Sequence, residues 1–244
     1  MLVYLMCALS CVIAYLVCGI PSAYIVTRRM AHIDVRDVGS GNVGSTNAVR
    51  AAGPKAGVLT LVLDILKAAL SMLVGLVLIG FVGAGGGFAA VAPGGAFDWA
   101  AALVYLFCIC GHVFTPYLHF KGGKGIAVGF GGAVVLMPLG GLALWLPFLL
   151  FAVTTRYVSL GSVVAALSLP VWAVVLYRPS VAFVCILCVV AAIVIFSHRS
   201  NIAKLVKGTE RRFSFKKEDG SEKPGDAEGA KSAEGAEGSG RATR

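Results

Sequence analysis

Three short polar segments hold nearly all the residue types in this chain that could do chemistry. The first, residues 34–55, contains GSGNVGSTNAVR. Gly39, Gly41 and Gly44 permit positive φ and close backbone approach, so successive N–H groups can form an anion-cradling nest. Ser40, Asn42, Thr46 and Asn47 add neutral donors, and Arg50 adds a planar fork suited to phosphate. The second, residues 111–125 (GHVFTPYLHFKGGKG), opens with His112 and sets Lys121 and Lys124 around Gly122 and Gly123, whose N–H groups could face an anion beside an ammonium point charge. The third, residues 198–213 (HRSNIAKLVKGTERRF), puts His198 and Asn201 one helical turn apart, with Glu210 its only acid.

Each segment also has a plainer reading. The first is a small-residue polar loop. The lysines of the second are cytoplasmic anchors that snorkel to headgroups. The third is an interfacial amphipathic helix, with Ile202, Leu205 and Val206 on one face. Familiar motifs do not fit. GSGNVG has the glycine spacing of a dinucleotide fingerprint but lacks the preceding strand, and the glycine loop departs from Walker A at Leu118 and Gly125. No GxSxG elbow surrounds Ser40, so it reads as a phosphate ligand rather than a nucleophile. His112 and His119 have no third ligand, and Cys185 and Cys188 have no second pair, so no metal and no cofactor is expected.

The elements that must position these segments are apolar. The chain of 244 residues is 58% hydrophobic and 14% charged, with net charge +9. Charge is absent over 1–27, 68–97, 99–120, 125–155, 157–177 and 179–197, and ~20 apolar residues span a bilayer. A soluble enzyme is excluded, and no nucleic-acid module is present. The composition predicts an all-α polytopic membrane protein with seven transmembrane helices. They cover 1–26, 57–81, 98–111, two short helices within 125–155 broken at 138–141, 158–176 and 181–197. Lys and Arg concentrate in cytoplasmic loops. With seven spans, Arg28, Arg29, Arg36, Arg50, Lys55, Lys121, Lys124 and Arg156 share one side and only Arg178 faces the other, giving N-terminus out and C-terminus in. All seven cysteines lie in apolar runs, where they act as small hydrophobes. Asp64 and Lys67, spaced i,i+3 in the second span, can neutralise each other. Residues 1–213 form the membrane domain, and 214–244, rich in Glu, Lys, Gly and Ala, form a disordered polar cytoplasmic tail.

In this order and spacing the three segments resemble the PlsY family of bacterial acyl-phosphate:glycerol-3-phosphate acyltransferases, from the first span to about Phe213. GSGNVGSTNAVR is similar to the family's first motif, GHVFTPYLHFKGGKG to its second and HRSNIAKLVKGTERRF to its third. The second motif departs in one place: Thr115 stands where proline is usual, and Pro116 follows it. The resemblance implies transfer of a fatty acyl group from acyl phosphate to the sn-1 hydroxyl of glycerol 3-phosphate at the cytoplasmic face of the bacterial inner membrane, with membrane lipid as surroundings. It implies catalytic roles for Ser40, Arg50, Lys124, His198 and Asn201. Substrate binding falls to Gly39, Gly41, Asn42, Gly44, Thr46, Asn47, Gly122, Gly123, His112 and Glu210. A base could be His198, with an ordinary pKa near 6.5, or the substrate's own phosphate. A transporter of small organic phosphates is the alternative, although no segment recurs as an inverted repeat would require.

Overall fold

The structure, a computed structural model, describes residues 1–212; the tail expected at 214–244 lies outside the described residues. The described residues are helical, without strands. Helix α1 (Leu2–Gly19) buries Cys7, Cys11, Ala14 and Cys18, a stripe with helical spacing, and turns Leu5, Leu9, Val12 and Leu16 outward. Its stripe packs on the helix over Asp98–Val113, where Gly111 is required because any Cβ there would collide with the Tyr15 backbone. The expected first span of 1–26 is broken. Pro21 restricts Ile20 to an extended conformation (ψ 119°), and a separate helix α2 (Ser22–Ala31) carries Arg28 and Arg29.

Helix α3 (Ser45–Val77) starts within the first polar segment, kinks at Ala52 and Gly53 ahead of Pro54, and continues as a π-helical turn over Leu78–Gly83. The helix thus begins twelve residues ahead of the span expected from 57. Helices α4 (Gly87–Val91) and α5 (Asp98–Val113) follow the glycine-rich connection. The apolar run 125–155 breaks at Met137 (φ −147°, ψ 85°), in front of Pro138 as expected, into α6 (Ile126–Leu136), α7 (Pro138–Ala143) and α8 (Trp145–Thr155). Helices α9 (Val158–Tyr177), α10 (Val181–Ser197) and α11 (Arg199–Val206) complete the chain, α11 bent by 59° from α10. Five helical stretches are long and apolar enough to cross a bilayer, six if the bent pair counts as one; Ile126–Leu136 is shorter. One core, mostly small and aliphatic side chains with Tyr105, Phe130 and Phe183 among them, joins α1, α3, α5, α6, α9 and α10.

Each end of the bundle is tied by side chains. At one, the buried Asp98 carboxylate accepts hydrogen bonds from the N–H groups of Gly94 (3.0 Å) and Ser180 (2.7 Å) and from the Ser180 hydroxyl (2.6 Å). At the other, Tyr15 donates its hydroxyl to the Phe114 carbonyl at 2.7 Å, and Thr115 donates to the Gly19 carbonyl at 2.6 Å. The Thr115 oxygen also accepts from the N–H of Tyr117 (3.3 Å), capping the short turn Pro116–Leu118. The residue that displaces the usual proline thus fastens the second segment to the end of α1.

Candidate functional site

The three polar segments meet at this second end and enclose a cleft of about 700 Å³. The first supplies Arg36, Ser40 and Asn42, the second Phe120, Lys121 and Lys124, and the third Arg199, Asn201 and Lys204. Five walls are cationic against one acid, Asp37, so the cleft favours anions.

The first segment is folded around Asn47. Its amide, 1% exposed, donates to the carbonyls of Val35 (2.7 Å) and Val38 (2.9 Å) and accepts from the Ser40 N–H (3.1 Å). Asn47, expected to touch substrate, has its donors committed inside the loop and positions Ser40 instead. Gly39 (φ 61°) is required beside it, since a side chain there would collide with the Asn47 carbonyl oxygen. Arg50 is exposed and packs near Gly39, while Thr46 is exposed on the first turn of α3, whose N-cap is Gly44. Gly41 (φ 67°) and Asn42 line the cleft. Arg36, which the sequence reading did not single out, is aimed by Asp34 through contacts of 3.0 and 2.7 Å and stacks over Tyr24.

The glycine loop corrects an expectation. The N–H of Gly122 donates to the Val113 carbonyl (3.0 Å) and that of Gly123 to the His112 carbonyl (3.1 Å), so neither is free for an anion. These positions are glycine for space: a Cβ at 122 would strike the His112 carbonyl, and one at 123 the His112 ring. His112 itself is 7% exposed and lies behind the glycine loop, not on the cleft wall, with its Nδ1 toward Lys67. Ahead of the loop, His119 (φ 52°) and Phe120 (φ 60°) are consecutive left-handed residues. The turn they make is closed by bonds from the Phe120 N–H to the Thr115 carbonyl (2.9 Å) and from the Lys121 N–H to the Leu118 carbonyl (3.1 Å).

Lys124 is brought to the third segment, donating to the Asn201 side-chain oxygen. The Asn201 amide donates to Glu210 Oε1 (2.6 Å), which also accepts from Ser159 (2.8 Å) at the start of α9. Ser159 gave no signal in an apolar run, and Glu210 acts behind Asn201 rather than on the cleft wall. Burial pushes the Lys124 ammonium below its usual range; Glu210 opposes the shift, and Lys204 and Arg50 add to it. An anion in the cleft would reverse that penalty. His198 is 2% exposed, its Nδ1 2.8 Å from the Val194 carbonyl, so that nitrogen carries the proton. Burial lowers its pKa to about 4 against the opposing Val194 bond. It is therefore neutral at pH 7 and a weaker base than its ordinary value implies. A separate apolar cavity of only about 30 Å³ is lined by Gly125, Ile126, Gly129, Ala165, Leu169 and Val194.

Residues 8–208 match the family model described as Glycerol-3-phosphate acyltransferase. The chain is 41% identical over 204 residues to a glycerol-3-phosphate acyltransferase of Geobacter sulfurreducens, covering 82% of this chain and 94% of that one. It is 39% identical over 201 residues to one of Trichlorobacter lovleyi, with the same coverages. Among solved structures it resembles PlsY (YgiH), an integral membrane glycerol 3-phosphate acyltransferase, in its glycerol 3-phosphate form, with a TM-score of 0.73 and 33% identity over 85% of this chain and 96% of that one. The lysophosphatidic acid form gives a TM-score of 0.71 and 32% identity, covering 85% and 95%.

Proposed function

The chain belongs to the glycerol-3-phosphate acyltransferase family of membrane enzymes, and from that premise we propose that it transfers a fatty acyl group from acyl phosphate to the sn-1 hydroxyl of glycerol 3-phosphate, giving lysophosphatidic acid. The observation that carries this reading is a basic cleft suited to phosphates, with Lys124 and the Asn201 that holds it on its wall.

The reaction needs little covalent help from the protein. An acyl phosphate is an activated mixed anhydride, so orienting the hydroxyl and stabilising charge on the carbonyl oxygen and departing phosphate supply the catalysis. The hydroxyl oxygen bonds to the carbonyl carbon as the carbon–phosphate oxygen bond breaks. Ser40, Asn42, Arg36 and Arg50 bind phosphate, and Lys124, oriented by Asn201 and Glu210, meets the developing charge. The hydroxyl proton passes to a substrate phosphate; the depressed basicity of buried His198 favours this over the imidazole. His198 instead serves the site in its neutral form.

Seven spans with the N-terminus out and the cleft facing the cytoplasm of the inner membrane complete the proposal. Its support is the gathering of Arg28, Arg36, Arg50, Lys121, Lys124 and Arg156 toward one side under the positive-inside rule. The test is formation of lysophosphatidic acid by purified protein from palmitoyl phosphate and labelled glycerol 3-phosphate, with palmitoyl-CoA as parallel donor. Product from acyl phosphate alone is expected; product from the thioester alone, or from neither donor, refutes the donor assignment.

A further inference from the structure

We propose that Lys67, buried in α3, is a positioning residue for the glycine loop and acts on it through His112. An ion pair that served only to neutralise two intramembrane charges would need Asp64 and Lys67 alone. Here Lys67 Nζ lies 2.7 Å from Asp64 Oδ1 but also donates to the Ile20 carbonyl at 2.8 Å and lies 3.3 Å from His112 Nδ1. These added contacts reach the α1–α2 break and the last turn of α5, from which the second polar segment departs.

The chemistry of the contact fixes its direction. An ammonium has donors and no acceptor, so His112 Nδ1 is the unprotonated nitrogen and the ring proton sits on Nε2. That Nε2 faces Gly123, where no Cβ fits, and the same point lies 2.9 Å from the Val43 carbonyl of the first segment. The Gly123 N–H in turn bonds the His112 carbonyl at 3.1 Å. The imidazole is wedged between the buried lysine and the residue preceding Lys124. A change at Lys67 therefore moves the ring, the loop and the Lys124 ammonium in sequence, although Lys67 touches no wall of the cleft.

The inference rests on the assignment of Lys124 to the reaction, so its test has a readout that needs no substrate. Two variants are compared with the full-length parent: Asp64→Asn/Lys67→Met, which removes both charges, and His112→Asn, which keeps an acceptor near the Nδ1 position but deletes Nε2. Hydrogen exchange of the 115–125 segment, melting temperature, and kcat and KM are measured. Faster exchange confined to that segment is expected, with kcat lowered about 10- to 100-fold, the range a misplacement near 1 Å produces, and little change in KM. Loop exchange and kcat both equal to the parent's would overturn the proposal and leave a helix-positioning pair. A uniform rise in exchange with unchanged kcat would do the same. If the double variant fails to fold, His112→Asn alone decides. An unsuitable acyl donor would abolish turnover in parent and variants alike while leaving the exchange difference intact, which separates the two failures.

Discussion

Asn47→Asp should disable the first loop without changing the size or shape of the side chain at its centre. The two side chains are isosteric, and aspartate keeps the oxygen that accepts from the Ser40 N–H at 3.1 Å. It loses both donors and sets a carboxylate oxygen against the Val35 and Val38 carbonyls, now 2.7 and 2.9 Å away. Leaving a buried carbonyl unpaired costs about 1–3 kcal/mol. Two of them, partly relieved as the loop opens to water, amount to about 3 kcal/mol. Because 1.4 kcal/mol is a factor of ten, catalytic efficiency should fall about 100-fold. The assay is kcat/KM for lysophosphatidic acid formation across pH 5.5 to 8. A buried carboxyl with two carbonyl neighbours has a raised pKa, and its protonated form regains one donor. The deficit relative to parent should therefore shrink toward pH 5.5. Efficiency equal to the parent's at pH 8 would refute the claim that Asn47 holds the loop from within.

The other expectations concern charge. Lys124→Ala should lower kcat/KM about 10- to 100-fold, while exposed Lys121→Ala is milder; equal losses would remove the distinction that the Asn201–Glu210 chain draws between them. For His198, the folded pKa near 4 lies below the ordinary 6.5, so the unfolded chain binds more protons between those values. Stability present above pH 6.5 is lost as pH falls toward 4, by up to about 3 kcal/mol. The melting temperature of the parent should drop more than that of His198→Asn over this window, and the pH–rate profile should show no His198 inflection near 6.5. Asp98→Asn, at the far end of the bundle, should lower stability by about 2–4 kcal/mol through its three hydrogen bonds, with kcat at the parent value.

The helices, the break before Pro138 and the meeting of three polar segments were legible because hydropathy and prolines are local signals. Pro21 was equally visible, yet a 20-residue apolar count runs across it, and the break between α1 and α2 was missed. The roles of the glycines and of Asn47 were not legible, since they depend on what lies opposite. GKG reads as an anion loop until Val113 and His112 are known to take its N–H groups. Lys67 and His112 are 45 positions apart, and no local pattern joins them. Lys124 and Asn201, 77 apart, could be associated only by likeness of motifs.

The paired left-handed residues His119 and Phe120 have a thermodynamic consequence. A non-glycine residue in that region costs roughly 1–2 kcal/mol, and fixing a flexible residue costs a similar amount in chain entropy. Both penalties are absorbed when the protein folds, because the Thr115 and Leu118 carbonyls close the turn from within the chain itself. Association of a phosphate with this wall of the cleft then needs no ordering of the loop. Calorimetrically it should resemble binding to a rigid receptor, with a small heat-capacity change and an entropy set mainly by released water and counterions.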